Sequence, residues 1–102
     1  MSEHYILEGH DAVPVDLMTW ARWFEKVKEG RIVKKTKLSN CSVSTVFLGF
    51  DHQYGDGPPH IFETLVFEGP YDGDMERCST WDQAEKMHEE MCARVQLPKD
   101  NP

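Results

Sequence analysis

The sequence predicts an α+β fold, with an antiparallel sheet of four to five strands and two amphipathic helices packed on one face. Apolar residues recur at helical spacing in two segments, 17–30 and 80–95. Between them lie short runs of β-branched and aromatic residues, separated by turn residues rather than by helices. That arrangement favours antiparallel neighbours. The order is therefore β-α-β-β-β-(β)-α, and the second face of the sheet has no helical cover.

The first elements are a strand and a helix. Residues 4–9, "HYILEG", have the composition of a strand. Residues 10–15 are expected to be a connector, because Pro14 lacks the N–H group that a central strand needs. Asp16 is a suitable N-cap, and Gly30 is the expected C-terminal stop of the helix. The apolar stripe of this helix consists of Leu17, Trp20, Ala21, Phe24 and Val27.

The later elements are strands and a second helix. The expected strands are 31–38, 41–50, 61–69 and a short run at 75–79. Thr80 and Gln83 stand in capping-box spacing and predict where the second helix begins. His88 lies on its apolar side and is predicted to be a core histidine with satisfied hydrogen bonds. We expect one domain over 1–102, ordered over 4–95, with a frayed tail at 96–102.

Composition indicates a globular protein of the cytoplasm. The chain has 102 residues, of which 39% are hydrophobic and 28% charged. No apolar run approaches the ~20 residues that span a bilayer, and the first residues do not resemble a signal peptide, so no membrane partner is expected. Three widely spaced cysteines, Cys41, Cys78 and Cys92, indicate neither a disulfide framework nor a zinc ribbon.

Charge is unevenly distributed along the chain. The net charge is -7, with seven basic against six acidic residues in 1–50 and four against twelve in 51–102. This balance opposes general nucleic-acid binding and favours a basic partner. Six of the eleven basic residues lie in 26–37, where a nucleotide phosphate could be bound by Lys34, Lys35, Lys37 and Arg31. The alternative is a solvated helix end followed by a charged edge strand.

The segment 47–69, "FLGFDHQYGDGPPHIFETLVFEG", places a polar loop between two apolar runs. Its candidate ligand-binding residues are His52, Tyr54, His60 and Glu63. Two histidines and a carboxylate could bind zinc, but the spacing matches no established ligand pattern, and a polar hairpin end explains the loop equally well. No catalytic motif occurs, so we assign no catalytic residue, no metal and no cofactor.

Glu63 interrupts an apolar strand pattern. A pairing of residues 50 and 61 across the loop places Glu63 on the same face as Leu65 and Phe67. A carboxylate in such a stripe needs a partner or exposure to water. It could form a structural salt bridge, bind a ligand cation or hydroxyl, or act in catalysis. The candidate ion-pair partners are Arg22, Arg77 and the lysines.

Aromatic and acidic residues suggest a protein interface. Trp23 is off the apolar stripe of its helix and is predicted to be exposed. Tyr71 lies beside three acidic residues, and exposed aromatic side chains are frequent hot spots of protein interfaces. The predicted partner-binding residues are Trp23, Tyr71, Asp72, Asp74 and Glu76.

Three segments carry a resemblance to a known group: "PVDLMTWARWFE", "VSTVFLGFDHQYGDGPPHIFETLVF" and "STWDQAEKMHEEM". Together they resemble a family of small, uncharacterised proteins encoded by tailed bacteriophages and prophages, over roughly residues 4–95. The resemblance carries no activity. Small phage accessory proteins often disable bacterial immunity, so it implies a host defence protein as partner.

Three functions follow as hypotheses. The first is a non-enzymatic inhibitor, similar to anti-CRISPR proteins, that binds a host protein through its acidic C-terminal half and exposed aromatics. The second is a small-ligand module, such as an oligomeric sponge for a nucleotide signal, in which the 51–60 loop and the basic strand converge on phosphates. The third is a metal-assisted hydrolase using His52, His60 and Glu63.

Overall fold

The computed structural model describes residues 3–51 and 56–98 of the chain. Within them the chain forms six strands, two α-helices and a 3₁₀ turn over Lys28–Arg31. In chain order the elements are β1 (His4–Glu8), β2 (Asp11–Val15), α1 (Leu17–Val27), β3 (Ile32–Lys37), β4 (Ser42–Phe47), β5 (Phe62–Phe67), β6 (Met75–Cys78) and α2 (Trp81–Arg94).

The strands form two sheets. β1 and β2 make a hairpin, and β3, β4, β5 and β6 make a four-stranded antiparallel sheet in that order. The predicted α+β class is confirmed. The expected connector at 10–15 is wrong, because residues 11–15 form β2 and pair with β1. Proline is excluded from central strands, but a two-stranded hairpin has only edge strands, so Pro14 is tolerated opposite Tyr5.

Both helices begin after the predicted N-cap residues, Asp16 and Thr80. The Asp16 carboxylate accepts a hydrogen bond from the Thr19 backbone N–H at 2.8 Å. The Thr80 hydroxyl accepts from the Gln83 backbone N–H at 3.1 Å, and the Gln83 side chain accepts in return from the Thr80 N–H at 3.2 Å. α1 ends at Val27, before Gly30, because the chain turns into the 3₁₀ segment at Lys28.

One face of the four-stranded sheet, the inner face, packs against α2. Side chains alternate along β4 and β5, so that every second residue is buried. The buried side chains of these strands are Val43, Thr45, Phe47, Phe62, Thr64 and Val66. They meet Ala84, His88, Met91 and Cys92 of α2. The apolar stripe of α2 and the alternation of the strands thus build the core.

The other helix lies on the same side of the sheet. Trp23 of α1 packs edge-on against Phe47, with ring centroids 5.6 Å apart. Tyr5 and Leu7 of β1 pack against the same cluster. Both helices therefore lie on the inner side, and α1 reaches the sheet through Trp23 and the hairpin. Among the described residues, neither helix has the length and apolar character needed to cross a membrane.

The pairing of residues 50 and 61 is wrong by two positions. Phe47 pairs with Phe62, and Glu63 pairs with Val46. β4 ends early because Gly49, at φ +74°, turns the chain toward β1, where its carbonyl accepts a hydrogen bond from the Tyr5 N–H at 2.9 Å. A shift of two residues preserves which face each side chain occupies. Glu63 therefore lies on the same face of β5 as Leu65 and Phe67, as predicted.

Candidate functional site on the outer face of the sheet

The face opposite α2 is the outer face of the four-stranded sheet. The paired strands place on it Ile32, Lys35, Lys37, Ser42, Ser44, Val46, Glu63, Leu65, Phe67, Met75 and Arg77. Each of these residues is half-buried or exposed. Phe67 is 47% and Met75 45% exposed, which is unusual for large apolar side chains of one surface. The outer face is thus a partly apolar surface that neither helix covers, as far as residues 3–51 and 56–98 are concerned.

Cross-strand pairing orders the outer face in three rows. The rows are Ile32–Val46–Glu63–Arg77, Lys35–Ser44–Leu65–Met75, and Lys37–Ser42–Phe67. In the second and third rows the β3 side chains are therefore cationic, the β4 side chains are small hydroxyls, and the side chains of β5 and β6 are apolar. The first row differs, because it holds Ile32, Val46 and the charged pair Glu63 and Arg77. A bulge between Ile32 and Lys34 sets this arrangement, since it directs Lys35 and Lys37 outward.

Glu63 is neutralised by an ion pair at one end of the outer face. Its Oε2 lies 3.0 Å from Arg77 Nη2 and accepts a hydrogen bond from Arg77 Nε at 3.1 Å. This is the structural salt bridge that the sequence allowed, and Arg77 is the partner. In the part of the chain described, Lys35 and Lys37 form no ion pair. The uncompensated charge of the face is therefore concentrated at its β3 edge.

A groove runs along β4 on the outer face. It has a volume of about 470 Å³ and is open to solvent. Lys35 and Lys37 form one wall, Phe67 forms the other, and Ser42 and Ser44 lie between them. We call this feature the β4 groove. It presents positive charge and an aromatic ring to the same occupant.

Of the predicted ligand-binding residues, those that the structure describes, His60, Glu63, Lys34 and Lys35, do not form one cluster. His52 and Tyr54 lie outside the described residues. Lys34 lies on the inner side, where its Nζ is 2.7 Å from Glu89 of α2, while Lys35 lies on the outer face. Adjacent residues of a strand point to opposite faces, so these two lysines cannot serve one small ligand.

His60 is also distant from the basic strand along the sheet. Its backbone N–H donates to the Asp51 carboxylate at 3.0 Å, beyond the end of β4. Lys37 pairs with Ser42 at the opposite end of that strand. Ser42 and Phe47 are separated by about 17 Å of strand, at ~3.3 Å per residue. The geometry thus opposes convergence of the loop end and Lys37 on one phosphate group.

The predicted aromatic partner residues are engaged within the molecule. Trp23 is not an exposed hot spot, because it packs edge-on against the fully buried Phe47. Tyr71 is half-buried, and its hydroxyl donates to the Leu97 carbonyl at 3.0 Å. Phe47 of β4 and Leu97, after α2, supply these contacts, and helical spacing alone does not reveal them.

The predicted acidic partner residues lie in the turn after β5 and on the α2 side of β6. Asp72 accepts a hydrogen bond from the Glu68 N–H within the 68–74 turn. The backbone N–H of Asp74 donates to the Tyr71 carbonyl at 3.0 Å in the same turn. Glu76 forms an ion pair with Arg94 at 3.3 Å on the α2 side. Glu76 therefore lies on the opposite face of the sheet from Phe67, whereas Asp72 and Asp74 belong to the turn that follows β5.

His88 forms a buried polar network that the sequence only partly indicates. Its Nδ1 lies 2.7 Å from the Thr45 hydroxyl and its Nε2 lies 2.8 Å from the Thr36 hydroxyl. Thr45 is in turn hydrogen-bonded to Thr64. Burial lowers the pKa of His88 below its usual value. The prediction of a satisfied core histidine is confirmed; its threonine partners follow from strand register.

Metal ligands are not clustered in the described residues. Within 3–51 and 56–98, no three His, Cys, Asp or Glu side chains are close enough to hold a metal ion. The Glu63 carboxylate is engaged by Arg77, as described above. A separate surface feature lies at the start of α2, where His10 stacks on Trp81 with ring centroids 3.8 Å apart. The sequence does not predict that contact, because it depends on the β1–β2 hairpin.

Comparison with protein-family models, with curated proteins and with solved structures finds no match. The resemblance to phage-encoded proteins therefore stays a prediction. Function is inferred from the surface of this chain, where the outer face exposes the large apolar side chains Phe67 and Met75.

Proposed function

We propose that the chain is a small phage-encoded accessory protein that binds a host protein of the anti-phage defence and inhibits it without catalysis. Inhibition would act by occlusion, as with anti-CRISPR proteins. The observation that supports this proposal is the uncovered outer face, on which Phe67 and Met75 are nearly half exposed. Large exposed apolar side chains with a charged rim are typical of protein interaction surfaces.

The dimensions of the outer face suit the centre of an interface. Four strands at ~4.8 Å spacing and six residues at ~3.3 Å rise give about 19 by 20 Å, or roughly 400 Å². A standard protein interface buries about 800 Å² on each partner. The outer face would therefore supply the apolar centre, and the turns and strand edges around it would supply the polar rim.

Phe67 is the residue expected to contribute most to binding at the proposed interface. Its ring is exposed in the unbound protein and lies beside Leu65, its near neighbour on the same strand face. Because Phe67 is 47% exposed, burying the rest of its side chain contributes about 1 kcal/mol through the hydrophobic effect. Truncation of a central aromatic residue commonly costs at least as much in binding. Phe67 is therefore the residue on which to test the proposal.

The test is capture of a partner from a bacterial lysate by the tagged full chain, with matched variants. We expect the wild-type protein and Met18→Glu, a change at an exposed apolar residue of α1, to capture the same stoichiometric host protein. Phe67→Glu should reduce that capture by at least about tenfold. The purified partner should lose activity in the presence of the wild-type chain. Failure to recover a partner, or equal capture by Phe67→Glu, would reject the proposal.

A further inference from the structure

The outer face has the opposite sign of charge from the rest of the molecule. It carries three basic side chains, Lys35, Lys37 and Arg77, against one acidic side chain, Glu63, for a formal charge of +2. Because the whole chain carries -7, the remaining residues carry -9. Charges farther apart than about 8 Å are largely screened at physiological ionic strength, so a docked segment responds to the local sign. The outer face therefore favours an acidic partner.

The strands that carry the walls of the β4 groove are separated by about one helix diameter. The walls stand on β3 and β5, which are two strand spacings, or about 10 Å, apart. An α-helix with its side chains is about 10–12 Å across. Ser42 and Ser44 at the floor are small, so they let a helix approach the sheet closely. An occupant lying parallel to β4 would meet both walls at once.

The two walls of the β4 groove favour different side chains on the two sides of a bound helix. Lys35 and Lys37 are two residues apart on one strand, a separation of about 6.6 Å. Carboxylates four residues apart on a helix are separated by about 5–6 Å, which matches the spacing of the lysines. The opposite wall is Phe67, and Leu65 lies beside it on the same strand face, so this side favours apolar side chains. The occupant is therefore acidic along one side and apolar along the adjacent side.

We infer that the β4 groove binds an acidic amphipathic helix of the partner protein, with its carboxylates on Lys35 and Lys37 and its apolar stripe on Leu65 and Phe67. This inference rests on the proposed function, because it names the part of the partner that docks. It also replaces the basic partner expected from the net charge with an acidic one at this surface.

Other occupants fit the β4 groove less well. A second copy of the chain, docked face to face, would bring two surfaces of charge +2 together, which is repulsive. A small anionic ligand is usually buried over most of its surface, whereas this groove is open along its length. Single-stranded nucleic acid stacks successive bases on several aromatic rings, whereas among the described residues the strands place one aromatic side chain, Phe67, on the outer face.

The test uses synthetic peptides and the full chain. The probe is an amphipathic peptide of about five helical turns with a leucine stripe and glutamates at four-residue spacing along one side. Its control has lysine at each glutamate position. In a fluorescence-anisotropy titration at about 50 mM salt, we expect the acidic peptide to bind at least about tenfold more tightly than the control, and to weaken at about 300 mM salt.

Charge-reversal variants test whether the peptide binds in the β4 groove. Lys35→Glu/Lys37→Glu should reverse the preference between the two peptides. Lys26→Glu/Lys28→Glu makes the same change of charge at exposed residues around the end of α1 and should retain the wild-type preference. Absence of acidic-peptide binding, or unchanged preference in the first variant, would overturn the inference. The inference would also be overturned if the wild-type chain dimerised or bound a nucleotide and Phe67→Glu abolished that dimerisation or binding.

The two proposals fail separately. Peptide binding requires no host protein, so it can succeed when capture from a lysate recovers no partner. In that outcome the groove chemistry stands and the proposed function falls. Capture that depends on Phe67 together with a failed peptide titration gives the reverse result: the interface stands, and the acidic helix is rejected.

Discussion

Acidification is expected to destabilise the fold through His88. The imidazole has no exposed surface, and both of its nitrogens are within hydrogen-bond distance of threonine hydroxyls of the sheet. Burial lowers the pKa of His88 because the charged form is removed from water. The two neighbouring charges act in opposite directions: Glu89 raises this pKa and Lys34 lowers it. Desolvation therefore decides the direction, and the folded protein holds His88 neutral.

The sign and size of the effect follow from proton linkage. In the unfolded chain His88 takes up a proton near its ordinary pKa of 6.5, whereas the folded protein does so only at lower pH. The unfolded state then binds more protons, so the free energy of unfolding falls as the pH falls through 6.5. For one proton, integration from about pH 7.5 to about pH 5.5 gives a loss of at most about 1.4 kcal/mol.

The assay is urea denaturation at both pH values, followed by tryptophan fluorescence. His88→Gln is the reference, because glutamine offers a donor and an acceptor to Thr36 and Thr45 but does not titrate. Wild type should lose up to about 1.4 kcal/mol more than the variant on acidification, since all other groups are shared. Equal pH dependences in the two proteins would refute the conclusion that the fold holds His88 neutral.

The remaining predictions concern backbone geometry, a helix cap and a thiol. Gly49→Ala should cost about 2–3 kcal/mol in urea denaturation, since its φ is +74° and an added Cβ would lie 2.6 Å from Trp20 Nε1. Gly9→Ala, at φ +63° with nothing within 4 Å, should cost only about 1 kcal/mol, and equal losses would contradict the clash. Thr80→Ala should cost about 1 kcal/mol of stability through the lost cap of α2, and Thr80→Ser should recover most of it. Burial raises the pKa of Cys78 to about 11, so iodoacetamide should label it at about pH 8 only after unfolding, and rapid native labelling would disagree.

Local signals in the sequence are sufficient for the helices. Asp16 and Thr80 cap the first turns that they are predicted to cap, because capping depends on residues within one turn. The strands of the four-stranded sheet are predicted for a similar reason, since β-branched and aromatic residues alternate along them. β2 is missed because the restriction on Pro14 depends on whether the strand is central, and that is a property of the sheet.

Contacts distant in sequence account for the other differences. The pairing of β4 with β5 depends on Gly49, which bends the chain toward β1. The exposure of Trp23 depends on Phe47, which belongs to another element. The ion pair of Glu63 with Arg77 was one of several that the sequence allowed, and only the pairing of β5 with β6 selects it. Helical and strand periodicities do not contain this information.

The register of β3 links the core to the candidate groove. Thr36 reaches His88 on the inner side, so Lys35 and Lys37, one residue away on either side, must lie on the outer face. A slip by one residue would place a lysine against the buried imidazole, at a cost of several kcal/mol for an unpaired buried charge. The bulge between Ile32 and Lys34 and the Thr36–His88 hydrogen bond therefore stabilise one register. By fixing the inner side of the strand, the core also fixes which charges the outer face presents to a partner.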